Sequence, residues 1–273
     1  KSGQIKIENL EPDWYTITEI APPKGYLIAT ESKDVKLEPN KVTEIKFDNR
    51  LRPALQIMKI DSQTGEPLKG AVFKVVKTED STESEYTTDN TGTILIQDLD
   101  EAIYTVTEVK SPDGYLLDEQ HKDIELEWGK TKQVVFTNKK RPALEILKID
   151  EATKKPLAGA KFKVTSTEGN TTSEYVTDNS GKILIENLNA EIYTIEEIVA
   201  PDGYLLEEQH KDIELEWGKT KQVVFTNKKR PVLTIQKIDS KTKEPLAGAK
   251  FKVTKTEDKT VSEYTTDKTG TII

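Results

Sequence analysis

Lys59, Lys148 and Lys237 share one spacing, since 148 − 59 and 237 − 148 both give 89. Asn49, Asn138 and Asn227 recur at the same interval, and so do Glu19, Glu108 and Glu197. An amine, a carboxamide and a carboxylic acid are the groups needed to build an amide from two side chains. A neutral lysine amine attacks the asparagine carbonyl carbon, the acid polarises that carbonyl and shuttles a proton, and ammonia leaves. Burial favours this chemistry, because it lowers a lysine pKa and raises a glutamate pKa until both groups are neutral.

The elements that would hold these side chains are strands. Side chains alternate faces along a strand, so parity says which ones point inward. Lys59 shares a face with Leu55 and Ile57, Lys148 with Leu144 and Ile146, and Lys237 with Leu233 and Ile235. The opposite parity carries Gln56, Glu145, or Thr234 with Gln236. Asn49 falls in line with Ile45 and Phe47, Asn138 with Val134 and Phe136, and Asn227 with Val223 and Phe225. A middle strand puts Glu108 with Tyr104 and Val106, Glu197 with Tyr193 and Ile195, and Glu19 with Tyr15 and Ile17. Each complete repeat thus turns one Lys, one Glu and one Asn toward its apolar side. Unpaired buried charge is very costly, so the three are expected to meet. Two readings stand at this point. One is a buried Lys–Glu ion pair with an asparagine hydrogen-bonded alongside; the other is a covalent Lys–Asn amide made with the glutamate's help.

The repetition sets the architecture. Ala54–Asp61 returns as Ala143–Asp150 and Val232–Asp239, and Pro112–Pro142 is nearly identical to Pro201–Pro231. Complete repeats are expected at 53–141 and 142–230, with the back part of one at 1–52 and the front part of another at 231–273. Within a repeat, short runs rich in Val, Ile, Thr, Tyr and Phe alternate with turn sequences such as Asp89-Asn-Thr-Gly92 and Ser111-Pro-Asp-Gly114. No stretch holds a helical period. Each repeat reads as an all-β, Ig-like sandwich of about seven strands. Junctions such as Thr137-Asn-Lys-Lys-Arg-Pro-Ala-Leu144 are brief, which predicts a stiff tandem array with adjacent repeats as mutual partners.

Composition agrees with several small domains. Of 273 residues, 34% are hydrophobic and 32% charged, too polar a mix for one large core. Lys and Glu are interspersed and the net charge is −8, which argues against nucleic acid as a partner. There is no cysteine, which rules out disulfides, thiolate metal sites and thioesters. No apolar run is long enough to span a membrane, and any export signal is expected outside this stretch.

The ordered signposts Lys59-Ile-Asp61, Leu68-Lys-Gly-Ala-Val-Phe73, Asp89-Asn-Thr-Gly92, Tyr104-Thr-Val-Thr-Glu108 and Pro112-Asp-Gly-Tyr115 resemble the B-type repeat of Gram-positive collagen adhesins and pilins (Cna B-type). Lys148-Ile-Asp150, Leu157–Phe162, Tyr193-Thr-Ile-Glu-Glu197 and Pro201-Asp-Gly-Tyr204 repeat the set. The resemblance covers the whole chain. It implies prealbumin-like sandwiches whose first and last strands are joined by an isopeptide bond, with glutamate as catalyst. Carried over residue by residue, it implies Lys59–Asn138 with Glu108 and Lys148–Asn227 with Glu197. Glu19, Asn49 and Lys237 would lack their full complement within this stretch. The resemblance also implies an extracellular, cell-surface stalk that cross-links itself once and is not an enzyme. The chain carries neither a Leu-Pro-x-Thr-Gly sorting signal nor a Tyr-Pro-Lys motif. Residues 231–273 and 1–52 are complementary parts of one repeat, so neighbouring chains could also pair end to end.

Other chemistry is sparse. His121 and His210 stand on strands whose polar parity faces solvent, and no cofactor or metal is expected. Trp14, Trp128 and Trp217 are expected to pack in the core or at junctions. Direct gripping of a host matrix protein or glycan is the competing function and would need an exposed apolar patch. A transthyretin-like carrier would need a central cavity.

Overall fold

The computed structural model describes residues 3–28, 31–117, 121–207 and 210–272. By compactness the chain forms two units, one of residues 1–144, 185–191 and 214–221, the other of residues 145–184, 192–213 and 222–273. The described residues form strands and turns, with no helix. Residues 1–52 contribute β1 (Trp14–Ile17), β2 (Tyr26–Leu27), β3 (Lys33–Lys36) and β4 (Arg50–Leu51). The first complete repeat contributes β5 (Ala54–Asp61), β6 (Val72–Lys77), β7 (Glu83–Thr87), β8 (Thr93–Ile96), β9 (Ile103–Lys110), β10 (His121–Glu125) and β11 (Thr131–Asn138). The second contributes β12 (Ala143–Asp150), β13 (Lys161–Ser166), β14 (Thr172–Val176), β15 (Lys182–Ile185), β16 (Ile192–Val199), β17 (His210–Glu214) and β18 (Thr220–Asn227). The last residues add β19 (Ile235–Gln236), β20 (Lys250–Thr254), β21 (Val261–Thr265) and β22 (Thr271–Ile272).

In the first unit, one sheet has the order β10-β9-β6-β7 and the other β11-β5-β8. The inner faces interleave Leu55, Ile57, Phe73, Val106, Leu126 and Phe136 into a core. That core forms because β5 reads apolar at every second residue and its burial alternates accordingly. The defining feature is the pairing of the first strand with the last. β5 and β11 run parallel, with Ala54 opposite Thr131 and Asp61 opposite Asn138. The second repeat has the strand orders β14-β13-β16-β17 and β15-β12-β18.

Two expectations are corrected at the ends of the chain. Asn49 was expected on a last strand with Ile45 and Phe47, yet residues 43–49 form no strand. In a complete repeat the last strand is held by the first, and residues 1–52 contain no counterpart of β5. Lys237 was expected on an apolar face, yet it is exposed and β19 covers only Ile235–Gln236. The strands whose Glu and Asn cover the equivalent lysines have no counterpart after it in this sequence. Trp14 departs from expectation as well. It is 65% exposed, on the outward parity of β1 that Ile103 and Ile192 occupy in the complete repeats.

Two repeat junctions lie inside the first unit and share one design. The Arg52 guanidinium donates to the Asp98 carbonyl at 3.4 Å and pairs with the Asp100 carboxylate, while the Gly129 N–H donates to the Leu51 carbonyl at 2.7 Å. Eighty-nine residues on, Arg141 donates to Asn189 Oδ1 and the Gly218 N–H to the Lys140 carbonyl at 2.8 Å. The second junction adds Gln63 Nε2 donating to the Trp217 carbonyl at 3.0 Å, with Lys139 Nζ 5.9 Å from the Trp217 ring centre.

Candidate functional site

β5 delivers Lys59 from its last turn of pleat, and a glycine fixes its backbone. The Lys59 N–H donates to the Gly92 carbonyl and its own carbonyl accepts from Leu68 N–H, both at 2.8 Å. Gly92 has φ +67°, and a Cβ built there would lie 2.6 Å from the Lys59 carbonyl oxygen. Only glycine tolerates both the left-handed turn and that approach. Gly181 does the same beside Lys148, with φ +71° and 2.5 Å to the Lys148 carbonyl oxygen.

The side chains then converge. β9 packs against β6 with Phe73 opposite Glu108, which brings the carboxyl under the lysine of the facing sheet. Lys59 Nζ donates to Glu108 Oε2 at 3.1 Å, and Asn138 Nδ2 donates to Glu108 Oε1 at 3.2 Å. One carboxyl thus bridges the amine and the carboxamide, an oxygen to each. Lys59 is 0% exposed, and Glu108 and Asn138 are each 2% exposed. Phe73 and Phe136, with ring centres 4.8 Å apart, wall the amine at 5.8 and 5.9 Å.

In the second unit Lys148 Nζ donates to Glu197 Oε2 at 2.9 Å, and Asn227 Nδ2 donates to the same oxygen at 3.1 Å. Phe162 and Phe225 form the wall, with ring centres 4.9 Å apart. Burial pushes the Lys148 amine below its ordinary range, against the opposite pull of Glu197. Burial likewise pushes the Glu197 carboxyl up, against the pull of Lys148 and Asn227. Both shifts favour a neutral amine beside a neutral acid. The carboxamide oxygens Asn138 Oδ1 and Asn227 Oδ1 are buried and accept no hydrogen bond, so the acid meets the carboxamide at its nitrogen and not, as expected from the sequence, at its carbonyl. A buried carbonyl without a donor is an uncommon arrangement, and here it sits beside an amine and an acid.

In residues 1–52, Asn49 Nδ2 donates to Glu19 Oε1 and Oε2 at 2.8 and 3.0 Å, so this Glu and Asn also meet. Lys237 is exposed. His121 is exposed, and no group of metal-ligating side chains exists among the described residues.

Parity counting overlooked two residues beside the site. Asp61 continues the inward face of β5 one step past Lys59, and its Oδ2 accepts from the Tyr115 hydroxyl at 3.0 Å. Tyr204 and Asp150 repeat the contact at 2.9 Å. Carrying the parity two residues further along β5 would have revealed the aspartate.

The sequence profile of the SpaA prealbumin-like fold domain matches residues 1–51, 53–140, 142–229 and 231–273. No curated protein sequence is significantly similar to the chain. Among solved structures, the Bacillus anthracis TIE protein is 28% identical over 90% of this chain, with a TM-score of 0.36. The chain spans 47% of that protein's length. GBS52, the minor pilin of Streptococcus agalactiae, is 22% identical and covers 69% of this chain and 99% of its own, with a TM-score of 0.34. The shaft pilin SpaA from Lactobacillus rhamnosus GG is 16% identical over 67% of this chain and 99% of its own, with a TM-score of 0.44. With profile matches running through two complete seven-strand sandwiches and the partial repeats on either side, the chain belongs to the SpaA family of prealbumin-like fold domains.

Proposed function

We propose that this chain is a stalk segment of a Gram-positive cell-surface or pilus-like protein, and that each complete repeat locks itself with an isopeptide bond. The bonds are Lys59–Asn138 and Lys148–Asn227, promoted by Glu108 and Glu197. The observation that carries this reading is the meeting of amine, carboxyl and carboxamide in one apolar pocket, once per complete repeat. Membership of the prealbumin-like family and tandem repetition support it.

The neutral lysine Nζ attacks the asparagine Cγ, forming the Nζ–Cγ bond. The carboxyl takes the proton that Nζ sheds and delivers one to Nδ2. The Cγ–Nδ2 bond breaks, one ammonia leaves, and the carboxyl ends as it began. The bond closes a loop of 138 − 59 = 79 residues, worth about 4–5 kcal/mol as an unfolded-state constraint. Its mechanical effect is larger. Without it, an unravelling repeat would release roughly 250 Å of chain. With it, successive anchors Asn138 and Lys148 stand ten residues apart.

Intact mass under denaturing conditions tests the reading. The chain is expected to weigh two ammonia molecules less than its sequence, and Lys59→Ala and Lys148→Ala are each expected to restore one. The full sequence mass in the unmodified chain would leave only a buried polar cluster and would overturn the proposal.

A further inference from the structure

The asparagine carboxamide is gripped by more than the glutamate. Asn138 Nδ2 donates its second N–H to the Leu116 carbonyl at 2.7 Å, and Asn227 Nδ2 donates to the Leu205 carbonyl. A backbone carbonyl only accepts, so it admits the NH2 end of the amide and repels the oxygen end. The amide is therefore held one way round. Both N–H groups are engaged, the nitrogen lies against the carboxyl, and Oδ1 is left free. That is the orientation in which the leaving nitrogen faces its proton donor.

Leu116 belongs to no strand, so something else must fix its carbonyl. Tyr115 provides it. Its backbone forms a single bridge with Lys140, Leu116 N–H donates to the Lys139 carbonyl at 2.9 Å, and the Tyr115 hydroxyl reaches across to Asp61 Oδ2. Asp61 is itself tied down, with Oδ1 accepting from the N–H groups of Gln63 and Thr64 at 2.7 and 2.9 Å. The same strand end holds the asparagine backbone, since Ser62 N–H donates to the Asn138 carbonyl at 3.0 Å. The second repeat reproduces the set through Tyr204, Asp150 and Glu151 N–H on the Asn227 carbonyl.

We propose that the Asp61–Tyr115 and Asp150–Tyr204 pairs are positioning clasps, which fix the loop carbonyl that orients the reacting carboxamide for loss of its nitrogen. The proposal rests on the cross-linking reading of the same site. Burial and then Asp61 raise the Tyr115 hydroxyl to about 12, so it stays a donor throughout the physiological range. Misorienting a reacting group within a bound site slows reaction by one or more orders of magnitude.

The test uses the full chain made by timed cell-free synthesis, quenched in denaturant and digested, with each repeat's cross-linked peptide quantified. Tyr115→Phe is expected to slow the Lys59–Asn138 link at least about tenfold, while Lys148–Asn227 in the same molecules keeps its rate. Asp61→Asn is expected to do the same and serves alone where Tyr115→Phe does not fold. A second readout separates positioning from stability. In a Lys59→Met chain, where the amide persists, the Asn138 side-chain amide protons are expected to be protected from exchange and to lose that protection on adding Tyr115→Phe. Wild-type cross-linking rates in both variants, or unchanged Asn138 amide protection, would overturn the clasp. Absence of either cross-linked peptide from the unmodified chain would instead overturn the cross-linking reading.

Discussion

Lys59 and Glu108, 49 residues apart in sequence, meet at 3.1 Å with both side chains fully shielded from solvent. A charged pair so placed gains attraction but forfeits hydration at both ends, and the two effects roughly cancel. Stability alone gives little reason for such a pair to occupy the centre of a small sandwich. Chemistry between the amine and the neighbouring carboxamide gives one.

Removing the acid separates chemistry from burial. Glu108→Gln keeps the shape and one acceptor oxygen, but replaces the other oxygen with an NH2 donor and cannot carry the proton. The denatured mass of this variant is expected to show one missing ammonia in place of two, with the remaining link mapping to Lys148–Asn227.

Removing the nucleophile has a thermodynamic signature. Lys59→Met removes the proposed loop constraint and, if the bond forms, is expected to cost the first repeat about 4–5 kcal/mol. Denaturant unfolding followed by hydrogen exchange on β5 and β11 reads this repeat alone. Adding Glu108→Leu, which removes the orphaned carboxyl, is expected to recover part of the loss.

Gly92 and Gly65 make a matched pair. Both have positive φ, +67° and +73°, yet only at Gly92 does an added Cβ meet backbone. Gly65→Ala is expected to cost about 1–2 kcal/mol for the left-handed conformation. Gly92→Ala is expected to cost clearly more and to displace Lys59, which thermal unfolding and slower cross-linking of the first repeat would both register.

Acid titrates the clasp. Asp150 is lowered from 3.8 to about 2, first by the Thr153 N–H and then by the Tyr204 hydroxyl. A depressed carboxylate favours the folded state above its unfolded pKa and loses that contribution as pH falls through the folded value. Stability of the second repeat is thus expected to decline between about pH 4 and pH 2. Asp150→Asn is expected to flatten that part of the curve, measured by denaturant midpoint at each pH.

Much of this was legible in the residues. The spacing of Lys59, Lys148 and Lys237 gave the repeat, and alternation along β5, β9 and β11 gave the inward faces of Lys59, Glu108 and Asn138. Periodicity cannot report hydrogen bonds to backbone carbonyls, so the grip of Leu116 on Asn138 was invisible. Nor does it reveal that the turn Asp89-Asn-Thr-Gly92 folds back onto Lys59. Parity also overreached at residues 43–49, where the pattern of a strand is present but its parallel neighbour is not. A strand is a relationship between segments, and pattern describes only one side of it.

The parallel pairing of β5 with β11 has a kinetic consequence. Thr131 pairs with Ala54, 77 residues earlier, so the sheet closes through contacts of high sequence separation and must close late. While it waits, the side of β5 away from β8 is an open edge, and the chain offers it two suitors: β11 and β18 share the sequence Thr-Lys-Gln-Val-Val-Phe-Thr-Asn. A wrong partnership of this kind is a characteristic misassembly of repeat proteins, and an amide formed within it would make it permanent. Synthesis from the N-terminus resolves the ambiguity, because β11 emerges 89 residues ahead of its twin. Order of arrival, rather than sequence, tells β5 which strand is its own.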